Sequence, residues 1–255
     1  MLRKLLLLIL LLTMFGLAAC TSSAPSPTVP PIAVTVYRAG TPTPTSGAAI
    51  QPPATPQPGS TPVPHYGPDS FPEDVNPLTG EVVDPAKLNR MPIAVKISNF
   101  PYNVRPQSGL SLADIVFEHL AEAGLTRFTA IYLQNDAARL GSIRSARYID
   151  NEVAPMFGAM LVTSGSSLGT MSQLRLSKWF YGDNVWRLVS EETHYVCPPL
   201  CRADPEDSNT LFASTTDLRA ATAAQGSSRR ADLSGFEFTA EVPPGGAPVT
   251  EVYVD

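Results

Sequence analysis

The sequence predicts an α/β or α+β domain, a mixed sheet with a hairpin and flanking helices, preceded by a disordered Pro/Thr-rich tether. Three observations carry that reading. Residues 91–98 and 125–133 alternate apolar with polar side chains, the period-two pattern of strands with one buried face. Residues 167–176 and 215–224 read as short helices, the second with Asp217 in its first turn. These strand and helix patterns interleave along the chain, which is how layered folds of mixed class are written in sequence.

The elements follow in order. Residues 1–20 have the parts of an export signal: cationic Arg3 and Lys4, an apolar run over 5–17, then small residues. The run is short for a bilayer span, which needs about 20 apolar residues. It ends in Leu17-Ala18-Ala19-Cys20, which resembles a lipobox, so Cys20 is the expected lipidation site and the link to the membrane. Residues 21–68 carry 13 of the chain's 26 prolines and a single charged Arg or Lys, Arg38. Such a segment cannot bury enough apolar surface to order itself, and is expected to be an extended linker. Residues 69–240 then form the expected domain, and the apolar, alternating residues 249–255 read as the start of another.

Within the domain, Ile93, Val95 and Ile97 alternate with Ala94, Lys96 and Ser98. Ser111-Leu112-Ala113-Asp114 reads as a capping box, against which Ile115-Val116-Phe117 is strand-forming; a short helical turn followed by a hairpin satisfies both. Ala123-Gly124 supplies the turn, and residues 159–163 read as a buried strand.

The net charge of −5 and pI of about 5.2 argue against a nucleic-acid partner. With Cys20 set aside, the remaining cysteines are Cys197 and Cys201. In an oxidising compartment they read as a disulfide; the competing reading joins them with His194 in a zinc site, for which no fourth ligand lies nearby.

Two constellations bear on function. A turn at Ala123-Gly124 puts Leu120 opposite Arg127, with Glu118 and Glu122 on the same face. In Gly141-Ser142-Ile143-Arg144-Ser145-Ala146-Arg147, a helical turn would present Arg144 and Arg147 on one side, suited to bidentate binding of phosphate or carboxylate. An ion-pair lattice on a sheet face accounts for the first, and neutralisation by Glu118, Glu122 or Asp150 for the second; neither alternative is closed by spacing.

Six ordered blocks add a resemblance: Asn76-Pro77-Leu78-Thr79-Gly80, Met91-Pro92-Ile93-Ala94-Val95, Arg105-Pro106-Gln107-Ser108-Gly109-Leu110-Ser111, Ala113-Asp114-Ile115-Val116-Phe117-Glu118, Thr126-Arg127-Phe128 and Ile143-Arg144-Ser145-Ala146-Arg147. Over about residues 76–226 the chain resembles the N-terminal domain of YerB-like lipoproteins, a domain of unknown function. The resemblance implies an extracytoplasmic, lipid-anchored protein with a following β-rich domain. Where relatives carry a His-Asn pair this chain has Ser208-Asn209. The order of elements is also similar to that of LytR-CpsA-Psr phosphotransferases, which move polyprenyl-linked glycans onto the cell wall; that similarity implies a metal near Asp114 and a pyrophosphate gripped by Arg127, Arg144 and Arg147. Gly165-Ser166-Ser167-Leu168-Gly169 matches a nucleophile elbow, with Asp183 and His194 as the hydrolase partners it would need, but a Gly/Ser turn capping a helix explains the same residues.

The expectation is therefore a lipoprotein on the outer face of a membrane. It binds an anionic envelope ligand, a glycan or polyprenyl phosphate, through Arg127, Arg144, Arg147, Glu118, Glu122 and Asn99, without a cofactor. A glycan phosphotransferase and a scaffold are the alternatives.

Overall fold

The computed structural model describes residues 64–194 and 197–240. The signal segment with Cys20, most of the expected linker and residues 249–255 lie outside the described residues, as does the His194 side chain.

The strands are β1 (His65–Tyr66), β2 (Ile93–Ser98), β3 (Ile115–Leu120), β4 (Thr126–Tyr132), β5 (Leu140–Gly141), β6 (Met160–Thr163), β7 (Leu188–Ser190), β8 (Cys201–Arg202), β9 (Leu211–Ala213) and β10 (Phe238–Thr239). The α-helices are α1 (Asp150–Met156), α2 (Leu168–Leu176), α3 (Glu191–His194) and α4 (Thr215–Thr222). Five strands form one mixed sheet in the order β3-β4-β2-β6-β7. The β3-β4-β2 part is antiparallel, whereas β2, β6 and β7 run parallel. Strands β5, β9 and β8 make a second, antiparallel sheet. β1 pairs with β10, so His65 and Tyr66, expected at the end of the linker, are a strand.

Central β2 explains one departure from the sequence reading. The alternation predicted a single buried face, but all six residues of β2 are buried. A strand with parallel and antiparallel neighbours, in a sheet covered on both sides, has no solvent face. Ile93, Val95 and Ile97 join Leu140, Leu200 and Leu218 in one core. Ala94 packs on the other face with Ile131, Leu161, Val153 and Phe157, the last two brought there by α1 and its end. Lys96 and Ser98 follow Ala94 by the period of two and are carried into the interior.

The helix starts follow local chemistry. Ser167 caps α2 by accepting from the Thr170 N–H at 3.3 Å, and Ser214 caps α4 by accepting from the Asp217 N–H at 3.0 Å. Residues 110–112 form a single 3₁₀ turn, after which the β-branched and aromatic run enters β3 directly. The capping box expected there does not form. Asp114 instead accepts from the Leu133 N–H at 2.7 Å, tying the start of β3 to the end of β4.

Cys197 and Cys201 are joined in a disulfide, with Cα atoms 4.8 Å apart, just where β8 begins. A disulfide offers no thiolate to zinc. Gly141, at φ +145°, is needed for close approach: a Cβ there would lie 2.7 Å from Phe212 Cδ1 on β9.

Candidate functional site

The site forms where the β3-β4 hairpin meets the segment after β5. The hairpin register decides which side chains reach it. Leu125 faces two residues at once: its carbonyl accepts from the Ala121 N–H at 2.8 Å and its own N–H donates to Glu122 O at 3.0 Å. Ala123 and Gly124 complete the turn at φ +55° and +72°. This extra residue on the β3 side moves the register by one, so Arg127 pairs with His119, and Leu120 with Thr126. A slip of one residue exchanges the faces of a strand. Glu118 is therefore on the face opposite Arg127, where it accepts from Thr126 Oγ1 at 2.6 Å and from Asn99 Nδ2 at 3.1 Å. The expected placement of Glu118 and Glu122 together around Arg127 is corrected: Glu122 alone reaches it, from the turn. Asn99 belongs with Glu118 and is held from the other side by Arg105 Nε at 3.1 Å.

The second correction concerns residues 142–147, which are extended, not helical. Their backbone is claimed by β2 and by the loop after β6: the Arg144 N–H donates to Lys96 O at 3.0 Å and the Ala146 N–H to Gly165 O at 2.8 Å. Those bonds replace the i to i−4 bonds a helix would need. Arg144 and Arg147 nevertheless come to the hairpin. Arg127 donates to Glu122 Oε1 at 2.8 Å and to Ser145 O at 2.8 Å. Arg147 donates through Nε to Glu122 Oε2 at 2.8 Å, through Nη2 to both carboxylate oxygens, and through Nη1 to Ala146 O at 2.8 Å. Arg144 donates through Nη1 to Ser208 O at 2.9 Å, while its buried Nε makes no hydrogen bond.

Arg127, Arg144, Glu122, Ser98 and Phe100 line a cavity of about 90 Å³ at this junction. Burial lowers the Arg127 pKa to about 10, and Arg147 and Arg144 push it in the same direction. The Arg144 pKa is also lowered, first by burial and then by Arg202 and Arg147. The Arg147 hydrogen bonds hold the Glu122 carboxyl below its usual value.

Behind the arginines lies a group the sequence reading did not select. Lys96 and Asp150, both fully buried, form an ion pair at 2.9 Å. Thr129 Oγ1 donates to Asp150 Oδ1 at 2.8 Å, and the Arg147 N–H donates to Asp150 Oδ2 at 2.6 Å. His119 Nε2 meets the Lys96 ammonium, and His119 Nδ1 faces Leu120 O at 3.2 Å. The arrangement assigns a neutral ring that donates from Nδ1 and accepts at Nε2. Burial is the main cause lowering both pKa values: Lys96 falls to about 8, against the pull of Asp150, and His119 falls next to Lys96. One signal was present in the sequence: Lys96 lies between Ala94 and Ser98, small residues unlike the long polar side chains of a solvated strand face.

Asp114, the candidate metal residue, is engaged by three neighbours in this arrangement. Its carboxylate accepts from Asn76 Nδ2 at 2.6 Å as well as from the Leu133 and Gln134 N–H groups. Among the described residues no group of three or more His, Cys, Asp or Glu side chains could hold a metal ion. Ser167, the elbow position, donates to Thr170 Oγ1 at 3.0 Å besides capping α2.

Comparison with known proteins agrees with this architecture. The chain is 41% identical over 107 residues to "Putative lipoprotein YerB" of Bacillus subtilis (strain 168), covering 42% of this chain and 32% of that protein. The crystal structure of YerB protein from Bacillus subtilis matches with a TM-score of 0.51 and 32% identity, over 60% of this chain and 50% of that one. The matches thus span a third to a half of the relative's length. Residues 78–228 match the family described as "Protein of unknown function (DUF3048) N-terminal domain", and because they make up more than half of the chain, the protein belongs to that family.

Proposed function

We propose that this is a lipid-anchored protein of the outer face of a membrane whose arginine cavity holds a phosphate or carboxylate group of a cell-envelope ligand. The observation that carries the reading is the cavity shared by Arg127 and Arg144, with Arg147 behind it. Around it stand five cations, Lys96, Arg127, Arg144, Arg147 and Arg202, against four carboxylates, Glu122, Asp150, Asp207 and Glu191, the last paired with Arg202. Asp150 is committed to Lys96, so the guanidinium groups outnumber the acid available to them. The planar guanidinium of Arg144, whose Nε–H makes no hydrogen bond among the described residues, suits the oxygens of a phosphate or carboxylate, a geometry that an ammonium does not match. The protein as a whole is acidic, so the positive charge is local. The anchor rests on Leu17-Ala18-Ala19-Cys20 and on the lipoprotein name of the relative.

Calorimetry with inorganic pyrophosphate tests the binding reading. Losing one charge-assisted bond of about 1.5–3 kcal/mol, Arg144→Ala weakens binding by about ten- to a hundredfold. Equal heats for wild type and Arg144→Ala would overturn the reading and leave the scaffold alternative.

A further inference from the structure

A second cavity adjoins the arginine cavity across the extended segment that carries both Ser142 and Arg144. It has a volume of about 290 Å³, and its lining includes Ser108, Ser142, Asn209 and Phe212 together with one charge of each sign, Arg139 and Asp207. Two contacts join the cavities. The Ser98 N–H, on the arginine side, donates to Ser142 O at 2.9 Å. Arg144 donates to Ser208 O, one residue before Asn209.

Hydrogen-bonding capacity is left over here. Six buried side-chain polar atoms make no hydrogen bond among the described residues; two of them, Ser142 Oγ and Asn209 Oδ1, belong to residues that line this cavity, and a third, Arg144 Nε, to a residue that lines the arginine cavity. Ser142 is only 3% exposed. Buried polar atoms are nearly always paired, and leaving one unpaired costs about 1–3 kcal/mol, so two on residues of one cavity call for a partner.

The chemistry of the atoms says which partner. Asn209 Oδ1 can only accept, and its orientation is fixed because Asn209 Nδ2 donates to Asp207 Oδ1 at 3.1 Å. An ionised phosphate or carboxylate has no proton to give it. Ser142 Oγ can donate or accept. A cation is disfavoured by Arg139, whose guanidinium lies 3.6 Å from the centre of the Phe212 ring and has no ion-pair partner among the described residues. A hydroxyl is a neutral group that donates and accepts at one oxygen, so it can serve both Asn209 Oδ1 and Ser142 Oγ, and a cavity with several such partners around it suits a ring bearing many hydroxyls.

We propose that the Ser142–Asn209 cavity is a sugar subsite, which takes the hydroxyl-bearing ring of a ligand whose anionic substituent enters the arginine cavity. Sugar phosphates and acidic sugars have that chemistry. The inference rests on the anion reading only for the orientation of the ligand; the unpaired atoms of the subsite stand apart from it.

The test uses the full-length chain in detergent and three probes: inorganic phosphate and glucose 1-phosphate by calorimetry, and methyl α-glucopyranoside by saturation-transfer NMR. Wild type binds glucose 1-phosphate about tenfold more tightly than phosphate. Ser142→Ala with Asn209→Ala abolishes that advantage and leaves phosphate affinity in place. Ser142→Ala alone keeps or raises the thermal midpoint, because it removes an unpaired buried hydroxyl. Equal affinity of wild type for the two phosphates, or an advantage that survives in the double variant, overturns the sugar subsite while the arginine cavity stands. Saturation transfer from methyl α-glucopyranoside that is lost in Ser142→Ala, with no binding of either phosphate, supports the subsite and retracts the anion reading. Silence from all three probes overturns both.

Discussion

The Lys96 ammonium lies 2.9 Å from the Asp150 carboxylate with neither side chain exposed to solvent, directly behind the arginines of the cavity. Lys96 reaches this place because β2 is central, and Asp150 because it opens α1. The pair also fixes Arg147, whose backbone N–H donates to Asp150. A buried pair of this kind is costly to break from one side, since the remaining charge has no water to turn to.

Asp150→Ala is therefore expected to lower the unfolding free energy by about 3–5 kcal/mol. Glu152→Ala, exposed in the same first turn of α1, should change it by less than about 0.5 kcal/mol. Urea denaturation of both variants checks the contrast, and similar midpoints would mean that the pair carries no strain when broken.

Lys96 also gives the protein a predicted pH dependence. Its folded pKa of about 8 is below its ordinary value of 10.5, so between those limits the unfolded chain binds the extra proton. Stability then rises with pH through this window on the account of Lys96, and the penalty for burying the charge is present in full below pH 8. Tyr132 opposes the gain at the upper end, because burial raises its pKa and the unfolded phenol ionises first. NMR of the lysine Cε resonances should find one lysine titrating near pH 8. A Lys96 midpoint above 10 would contradict the assignment.

Glu122 bridges Arg127 and Arg147 from an exposed position, and its carboxyl is held below the usual value chiefly by the Arg147 hydrogen bonds. The stabilisation it gives is present at neutral pH and is lost as pH falls through its folded pKa. For a pair this open to solvent the cost of Glu122→Gln is under about 1 kcal/mol. The same change removes a negative charge that competes for the guanidinium groups, so pyrophosphate binding should tighten severalfold. Weaker binding in Glu122→Gln would mean that the carboxylate orients the arginines more than it occupies them.

How much of this was legible in the sequence differs from element to element. The helices read at residues 167–176 and 215–224 both form, capped by Ser167 and Ser214, because a cap is a local bond between neighbours. The identity of the three arginines was legible too, but not how they meet. A single extra residue facing Leu125 reversed the faces of β3, and no pattern in Glu122-Ala123-Gly124 marks it. The extended path of residues 142–147 is set by Lys96 O and Gly165 O, groups distant in sequence, so local helix signals misread it. Lys96 and Asp150 were hidden for the same reason: burial of a charge depends on a partner that only the tertiary fold supplies.

The Cys197–Cys201 disulfide closes a short loop before β8. By loop entropy alone, replacing both cysteines with serine should cost about 2 kcal/mol. Thermal unfolding of the double variant beside wild type measures it, and unchanged stability would assign the bond a local role in shaping the loop. At the other end of the chain, Cys20→Ser should leave an unacylated precursor by mass spectrometry; a variant acylated and processed as usual would remove the lipobox reading.

The central claim is that Arg127, Arg144 and Arg147 act on one anion. The most direct measurement is a titration of the ¹⁵N-labelled full-length chain with inorganic pyrophosphate, following the arginine Nε–H resonances. The account predicts that Arg127, Arg144 and Arg147 shift together with one dissociation constant, that Arg90 and Arg219, which hold Leu133 O and Met91 O elsewhere, stay still, and that Arg144→Ala removes the common response. Shifts scattered among unrelated arginines, or none up to saturating pyrophosphate, would contradict it.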